Sequence, residues 1–183
     1  LFANCTQLKS VVLPAELTSL GTSAFSGCVN LSQLTLPESL LSVGKGCFEG
    51  CAALDLIDLS AVADAFEENV TLSAPALPEA IAQALGENGG MTWSLESVGE
   101  KPASSIAKLS VLPIKETKLS VLSSGQFTLV CTNPYTGLTS RKTVEARTRA
   151  VIRPVETETL VSGSKLQLSA WILPSEKKAT VKW

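Results

Sequence analysis

Apolar residues recur along the first third of the chain at a fixed spacing of 23 positions. The step holds for phenylalanine, two sets of leucines and cysteine, at Phe2/Phe25/Phe48, Leu8/Leu31/Leu54, Leu13/Leu36/Leu59 and Cys5/Cys28/Cys51. A period of this length predicts one coil of chain per repeat, and a single coil cannot bury its apolar side alone. We therefore expect the coils to stack into a leucine-rich solenoid with a continuous core.

Each repeat begins with the pattern L-x-x-[LVI]-x-L, whose alternation predicts a short strand. Pro14 and Pro37 end that strand, because proline has no N–H to donate to a ladder. Gly21 and Gly44 then permit a bend. The other apolar positions of the first two repeats are predicted to face inward, at Leu17, Leu20, Phe25, Leu40, Val43 and Phe48.

The strand residues between the inward leucines are predicted to face outward on a concave sheet. They are Ser10, Val12, Gln33, Thr35, Leu56 and Asp58. This set is mildly polar and lacks the aromatic and arginine anchors that dominate binding hot spots. Two interpretations stay open: the side chains only solvate the sheet, or they form the binding face.

The third repeat departs from the pattern. Ser60 stands where the earlier repeats have proline, Glu67 stands where they have glycine, and no Phe-x-x-Cys follows. Atypical sequence is expected where a solenoid ends, so we place its end, with a capping role, near residue 68.

From residue 69 the period ends and short alternating runs take its place. They are residues 70–73, 91–96, 106–112, 118–122, 127–132 and 142–148. Turn signals such as Gly89-Gly90 and Ser124-Gly125 separate them, which predicts an immunoglobulin-like β-sandwich. Residues 80–85 fit both strand and helix periods, and Pro78 before them with Gly86 after them favours a short helix.

The first 68 residues resemble the BspA-type (Treponema pallidum-type) leucine-rich repeat. The residues that carry the likeness are Ala24-Phe25-Ser26-Gly27-Cys28 and Leu31-Ser32-Gln33-Leu34-Thr35-Leu36-Pro37. The resemblance implies a surface or secreted protein, since members are mostly of that kind in bacteria and some protozoa. Several members are adhesins that bind host proteins or neighbouring cells.

The C-terminal residues resemble the start of a bacterial Ig-like domain of the Big_2 kind. The matching positions are Ile152, Pro154, Gly163, Leu166-Gln167-Leu168, Pro174 and Val181-Lys182-Trp183. Residues 69–149 resemble the same family more weakly, through Trp93 and the run Gly125 to Val130. The resemblance implies stalks and spacers of bacterial surface proteins.

The domain organisation that follows has three parts: repeats over 1–68, an Ig-like sandwich over 69–149, and the first half of a Big_2-like domain over 150–183. The predicted fold class is mostly β. The chain opens inside a repeat and stops inside this half domain, so we expect it to be an internal piece of a longer protein that supplies the signal and the anchor.

The five cysteines are an odd number, which argues against a closed disulfide framework. Cysteines in register on adjacent coils point the same way, a poor geometry for a disulfide, so we interpret them as buried thiols. Cys131 is interpreted in the same way. Cys47 and Cys51 have no histidine or second cysteine pair to complete a zinc site, and we expect no metal.

The sequence predicts no enzyme activity and no cofactor. Histidine is absent, which excludes His-based acid–base chemistry, and there is no P-loop or dinucleotide-binding glycine motif. A concave sheet three coils deep does not enclose a carboxylate pair across a cleft, as glycoside hydrolysis requires.

The net charge of −2 hides an asymmetry. Residues 1–68 carry 2 Lys/Arg against 8 Asp/Glu, while residues 69–183 carry 13 against 9. An acidic repeat region argues against nucleic acid as a partner, because phosphate neutralisation needs clustered cations. Arg147 and Arg149 are predicted to share a strand face, either as a solvated surface or as a weak site for anionic glycans or phosphate-rich polymers.

The predicted function is a non-enzymatic, adhesin-like bacterial protein of the cell surface or extracellular space. Its repeats would bind an extracellular protein or glycan, without inserting into a membrane, and Ig-like domains would hold them away from the cell wall. Two alternatives are a structural stalk and an accessory region of a large carbohydrate-active enzyme. Self-association through the open N-terminal end of the repeats is a further expectation.

Overall fold

The computed structural model describes residues 2–112, 116–153, 169–173 and 177–179, with the backbone alone from residue 149 onward. Its secondary structure is mostly β with few, short helices. The chain divides into two compact units that alternate along the sequence. Unit 1 comprises Leu1–Val62, Ser73–Ser94 and Leu129–Lys142, and unit 2 comprises Ala63–Leu72, Leu95–Thr128 and Thr143–Trp183.

The repeats of unit 1 stack in parallel with the register that the 23-residue period predicts. The strands are β1 (Ser10–Val12), β2 (Ser19–Leu20), β3 (Gln33–Thr35) and β4 (Ser42–Val43). β1 pairs with β3 and β2 pairs with β4, with Ser10 opposite Gln33 and Ser19 opposite Ser42. We call residues 2–59 the repeat stack.

Aromatic rings and thiols reinforce this stacking. The rings of Phe2, Phe25 and Phe48 lie nearly parallel, with centroids 5.4 and 6.1 Å apart in succession. The thiol of Cys28 donates to the carbonyl of Phe2 at 3.0 Å, and that of Cys51 donates to the carbonyl of Phe25 at 3.1 Å. Equivalent positions thus contact one another from repeat to repeat.

The core of unit 1 extends beyond the repeats. Helix α1 (Glu79–Leu85), the helix that the sequence favours, buries Ile81 and Leu85 in the same cluster as the phenylalanines of the repeat stack. Cys131 and Leu138 join this cluster. No side-chain hydrogen bond caps the N-terminus of α1, and a helix of only seven residues depends on the packing of its apolar face.

A turn from a distant part of the chain completes the last repeat. Between repeats, the phenylalanine N–H donates to a carbonyl of the following coil. These bonds run from Phe2 to Ala24 at 2.8 Å, from Phe25 to Cys47 at 2.9 Å and from Phe48 to Thr136 at 2.9 Å. Gly46 likewise donates to the carbonyl of Tyr135 at 2.8 Å. Residues 133–137, which we call the cap turn, therefore occupy the place of a further coil.

Seven further strands form two sheets. They are β5 (Ala65–Phe66), β6 (Val70–Leu72), β7 (Thr92–Ser97), β8 (Ala107–Val111), β9 (Thr117–Val121), β10 (Gly125–Thr132) and β11 (Thr139–Ala146). One sheet has the order β5-β11-β10-β7 and the other has the order β6-β9-β8. β5 is parallel to β11, whereas β9 is antiparallel to both of its neighbours. Six of the seven correspond to predicted runs.

Two further helical segments are short. A 3-10 helix (Gly86–Gly89) follows α1, and α2 (Ala103–Ile106) precedes β8.

The last three strands form an antiparallel sheet of their own. They are β12 (Arg149–Arg153), β13 (Ser169–Leu173) and β14 (Lys177–Ala179), in that order. The Big_2-like positions Pro154, Gly163, Leu166 to Leu168, Pro174 and Val181 to Trp183 lie outside the described residues.

The predicted third strand of the concave sheet is not formed. Residues 54–59 have no strand conformation, and the N–H of Ile57 donates to the hydroxyl of Ser140 at 3.3 Å. That hydroxyl in turn donates to the carboxylate of Asp55. A side chain of β11 thus provides contacts that a neighbouring repeat would otherwise supply.

The expectation that every repeat cysteine is buried is wrong for Cys5, which is exposed. Cys28, Cys47, Cys51 and Cys131 are buried, and all five are free thiols. The reason lies in the stacking, because Cys28 and Cys51 each pack on the preceding repeat. Cys5 makes no such contact among the described residues.

Candidate binding surface

The outward positions of β1 and β3 form an exposed patch of four side chains. Ser10 lies opposite Gln33 and Val12 lies opposite Thr35, and all four are exposed. The intervening Val11 and Leu34 are half-buried against the core, as alternation along a strand requires. Val12 is 83% exposed and is the apolar member of the patch.

Leu56 and Asp58, the predicted members from the third repeat, lie in a cleft instead of on a strand. The cleft has a volume of ≈ 450 Å³, and Asp55, Ser60, Arg141 and Lys142 also line it. The ammonium group of Lys142 donates to the carbonyl of Val62, and this hydrogen bond holds the Lys142 side chain in place at the cleft. Carboxylates of the repeats and cations of β11 therefore share one open cleft.

The carboxylate of Asp58 is held in its ionised form. The hydroxyl and the backbone N–H of Ser60 lower the pKa of Asp58, and the N–H lies 2.8 Å from the carboxylate. The side chain of Asp58 is exposed, so it presents a fixed negative charge to solvent at neutral pH.

Sequence reasoning missed Asp55, Ser60, Arg141 and Lys142 as members of this cleft. Asp55 and Ser60 sit beside predicted positions, but the cations come from a strand more than 80 residues further along the chain. No periodicity links the two segments. The signal that places them together is the pairing of Ser140 with Asp55 and Ile57, which only the folded chain shows.

Arg147 and Arg149 do not lie on one strand. Arg147 follows the last residue of β11, while Arg149 opens β12, and only its backbone is described. The Arg147 guanidinium donates to Glu145 at 2.8 Å, and this hydrogen bond raises the pKa of Arg147 further. Arg147 is thus engaged by the carboxylate of Glu145, and the anion patch stays a prediction.

Burial disfavours the thiolate form of three of the buried cysteines. Burial raises the pKa of Cys47, Cys51 and Cys131 to about 11 each, so these thiols stay protonated at neutral pH. Within the described part of the chain, no group of three or more metal-ligating side chains comes together.

A family model matches the part of the chain that forms the repeat stack. Its description is BspA type Leucine rich repeat region, and it covers residues 1–83 in six copies. Residues 1–83 carry BspA-type leucine-rich repeats. The match runs beyond residue 68 into α1, which packs into the core of the BspA-type repeats.

No curated protein and no solved structure matches the chain. The matched family is typically associated with surface and adhesion proteins. Among the described residues, no helix has the length and apolar character needed to cross a bilayer.

Proposed function

We propose that this protein is a non-enzymatic, adhesin-like protein of the bacterial surface or extracellular space. The observation that carries the proposal is the exposed, in-register patch that the BspA-type repeats present. Side chains at equivalent positions of successive repeats point outward together, as Ser10 with Gln33 and Val12 with Thr35 do. Such a surface suits recognition of an extended partner by repeated contacts.

Val12 gives this patch an apolar contact point. Its side chain is 83% exposed in the free protein, and burying it in an interface would contribute about 1.5–3 kcal/mol. The flanking Ser10, Gln33 and Thr35 offer hydroxyl and amide groups that can both donate and accept hydrogen bonds. An extracellular protein or glycan is therefore the proposed ligand class for this patch.

The cleft at Asp58 adds charged groups to the proposed binding residues. Asp55 and Asp58 line it together with Arg141 and Lys142, so the cleft offers groups of both signs. Exposed charges of this kind add orientation and specificity more than affinity. We propose that they fix the orientation of the ligand relative to the patch.

The order of the later strands supports a spacer role for the rest of the chain. If β5 to β11 are taken as strands A′ to G, the orders β5-β11-β10-β7 and β6-β9-β8 are the ones expected of an immunoglobulin-like sandwich. The resemblance to Big_2 domains, which form stalks in bacterial surface proteins, favours the same interpretation. We propose that these strands form such a sandwich and present the repeats to the ligand.

The test is a binding panel of host matrix proteins and glycans against the 183-residue chain. The variant Gln33→Ala/Thr35→Ala/Asp58→Ala removes polar groups from the proposed surface without touching a buried residue. A matched control, Thr71→Ala/Gln126→Ala/Glu116→Ala, changes three exposed residues of unit 2. We expect a ligand whose binding weakens at least tenfold in the first variant and is unchanged in the control.

Equal binding by both variants would remove this surface from the proposal. A chain that is folded and binds nothing in the panel would favour the structural stalk instead. A catalytic domain encoded beside this segment would favour the accessory region of a carbohydrate-active enzyme.

A further inference from the structure

A second cleft of unit 1 lies between the repeat stack and the cap turn. Its volume is ≈ 510 Å³. One wall comes from the turns of the BspA-type repeats, with Ser23, Lys45 and Glu49, and the other comes from Thr132, Tyr135 and Thr139 around the cap turn. None of these residues belongs to the patch on β1 and β3.

Backbone hydrogen bonds fix the two walls relative to each other. The N–H of Gly46 donates to the carbonyl of Tyr135 at 2.8 Å, and the N–H of Phe48 donates to the carbonyl of Thr136 at 2.9 Å. Behind them, the fully buried side chain of Asn133 donates to the carbonyls of Asn88 and Gly90. The cleft is therefore formed before any ligand arrives, which lowers the entropic cost of binding.

Tyr135 gives the cleft a positioned aromatic ring. It is half-buried and packs against the core cluster of unit 1 while it lines the cleft. It is also the only tyrosine of the chain. A ring held in this way offers an apolar face together with a hydroxyl group.

The other groups of the cleft favour an uncharged, hydroxyl-rich ligand. Lys45 and Glu49 carry opposite charges on the same wall, so a ligand with a net charge gains little overall attraction. Both are exposed and can respectively donate to and accept from hydroxyl groups. On the facing wall, the hydroxyls of Thr132 and Thr139 lie 3.2 Å apart and add polar groups.

We propose that this cleft binds an uncharged saccharide of about two sugar rings. The ring of Tyr135 packs against the C–H face of one pyranose, while Lys45 and Glu49 hydrogen-bond its hydroxyls. A cavity of this size suits a small ligand, because such sites usually enclose several hundred Å³. This site is independent of the surface on β1 and β3.

The single tyrosine makes a direct test possible. The chain is labelled with 3-fluorotyrosine, which places one fluorine signal in the cleft, and is titrated with diacetylchitobiose, cellobiose, maltose, lactose and mannobiose. We expect a saturable shift of the signal with at least one of these disaccharides. The variant Lys45→Ala/Glu49→Gln, whose changes are at exposed side chains, should bind that sugar at least tenfold more weakly.

Two further variants separate the possible outcomes. Lys108→Ala/Glu116→Gln changes an exposed pair of the same residue types in unit 2 and should leave the titration unchanged. Gln33→Ala/Thr35→Ala/Asp58→Ala should also leave it unchanged, so failure of the proposed function and failure of this site are distinguishable. No saturable shift with any of the five sugars, or equal affinity in the Lys45→Ala/Glu49→Gln variant, would overturn the proposal.

Discussion

At the scale of single residues, the same repeat position is glycine in two successive repeats, with different surroundings. A Cβ atom at Gly44 would lie 2.3 Å from the backbone nitrogen of Thr22, whereas one at Gly21 would have nothing within 4 Å. The glycine of the inner repeat is therefore required by the close approach of two coils. No described residue crowds the glycine of the other repeat.

This difference gives a matched pair of substitutions. Gly44→Ala forces the two coils apart and should lower the free energy of unfolding by about 1–3 kcal/mol. Gly21→Ala should change it by less than about 0.5 kcal/mol. Urea unfolding followed by circular dichroism measures both, and equal effects would contradict the close packing of the coils.

At the scale of elements, the cap turn depends on one buried side chain. The amide of Asn133 accepts from the N–H and the hydroxyl of Thr136 at 2.9 and 2.8 Å and donates to two carbonyls at 2.8 and 3.0 Å. Gly137 ends the turn at a φ of 77°, and a Cβ there would lie 2.7 Å from the Cα of Glu49. The turn is thus fitted to the edge of the last repeat.

Asn133→Ala should therefore destabilise the chain strongly. It leaves the N–H and the hydroxyl of the buried Thr136 without their acceptor, and we expect a loss of about 2–4 kcal/mol in the free energy of unfolding. Asn88→Ala is the control, because Asn88 contributes its backbone carbonyl to the same network and its side chain is exposed. Thermal unfolding of the two variants compares them, and similar midpoints would argue against a capping role.

The elements that the sequence predicts well are those governed by local period. The 23-residue step predicts that Ser10 pairs with Gln33, and alternation predicts the strand at Thr117–Val121. Both features follow from a regular spacing of apolar residues along the sequence. The cap turn cannot be predicted in this way. Thr136 accepts a hydrogen bond from Phe48, which lies 88 positions earlier, and the two segments share no sequence pattern. The cleft at Asp58 is only half predictable for the same reason.

At the scale of the whole molecule, the repeats and the later segments fold as interleaved parts. Unit 1 includes residues 73–94 and 129–142 together with 1–62, and its core contains Ile81 and Leu138. The predicted boundary at residue 68 would separate these parts. We therefore expect the compactness of the repeat stack to depend on the later segments of unit 1.

A truncation tests this dependence. A fragment of residues 1–68 keeps the repeat stack but loses α1 and the cap turn, so we expect it to lack a cooperative unfolding transition. A fragment of residues 1–149 retains every segment of unit 1 and should unfold cooperatively. Differential scanning calorimetry measures the unfolding of both fragments. A cooperative transition in the shorter fragment would establish the repeat stack as an autonomous domain.

The fit of the cap turn has a consequence for variation in length. The turn bonds to Gly46 and Phe48, and the equivalent residues one repeat earlier, Ser23 and Phe25, make the same bonds to the next coil. If 23 residues of the repeat stack were duplicated or deleted, the cap turn would still pack on the edge of a repeat with the same N–H groups. A gain or loss of any other number of residues would move those N–H groups out of place. Whole repeats can therefore be added or removed, in evolution or by design, while the terminating structure stays as it is.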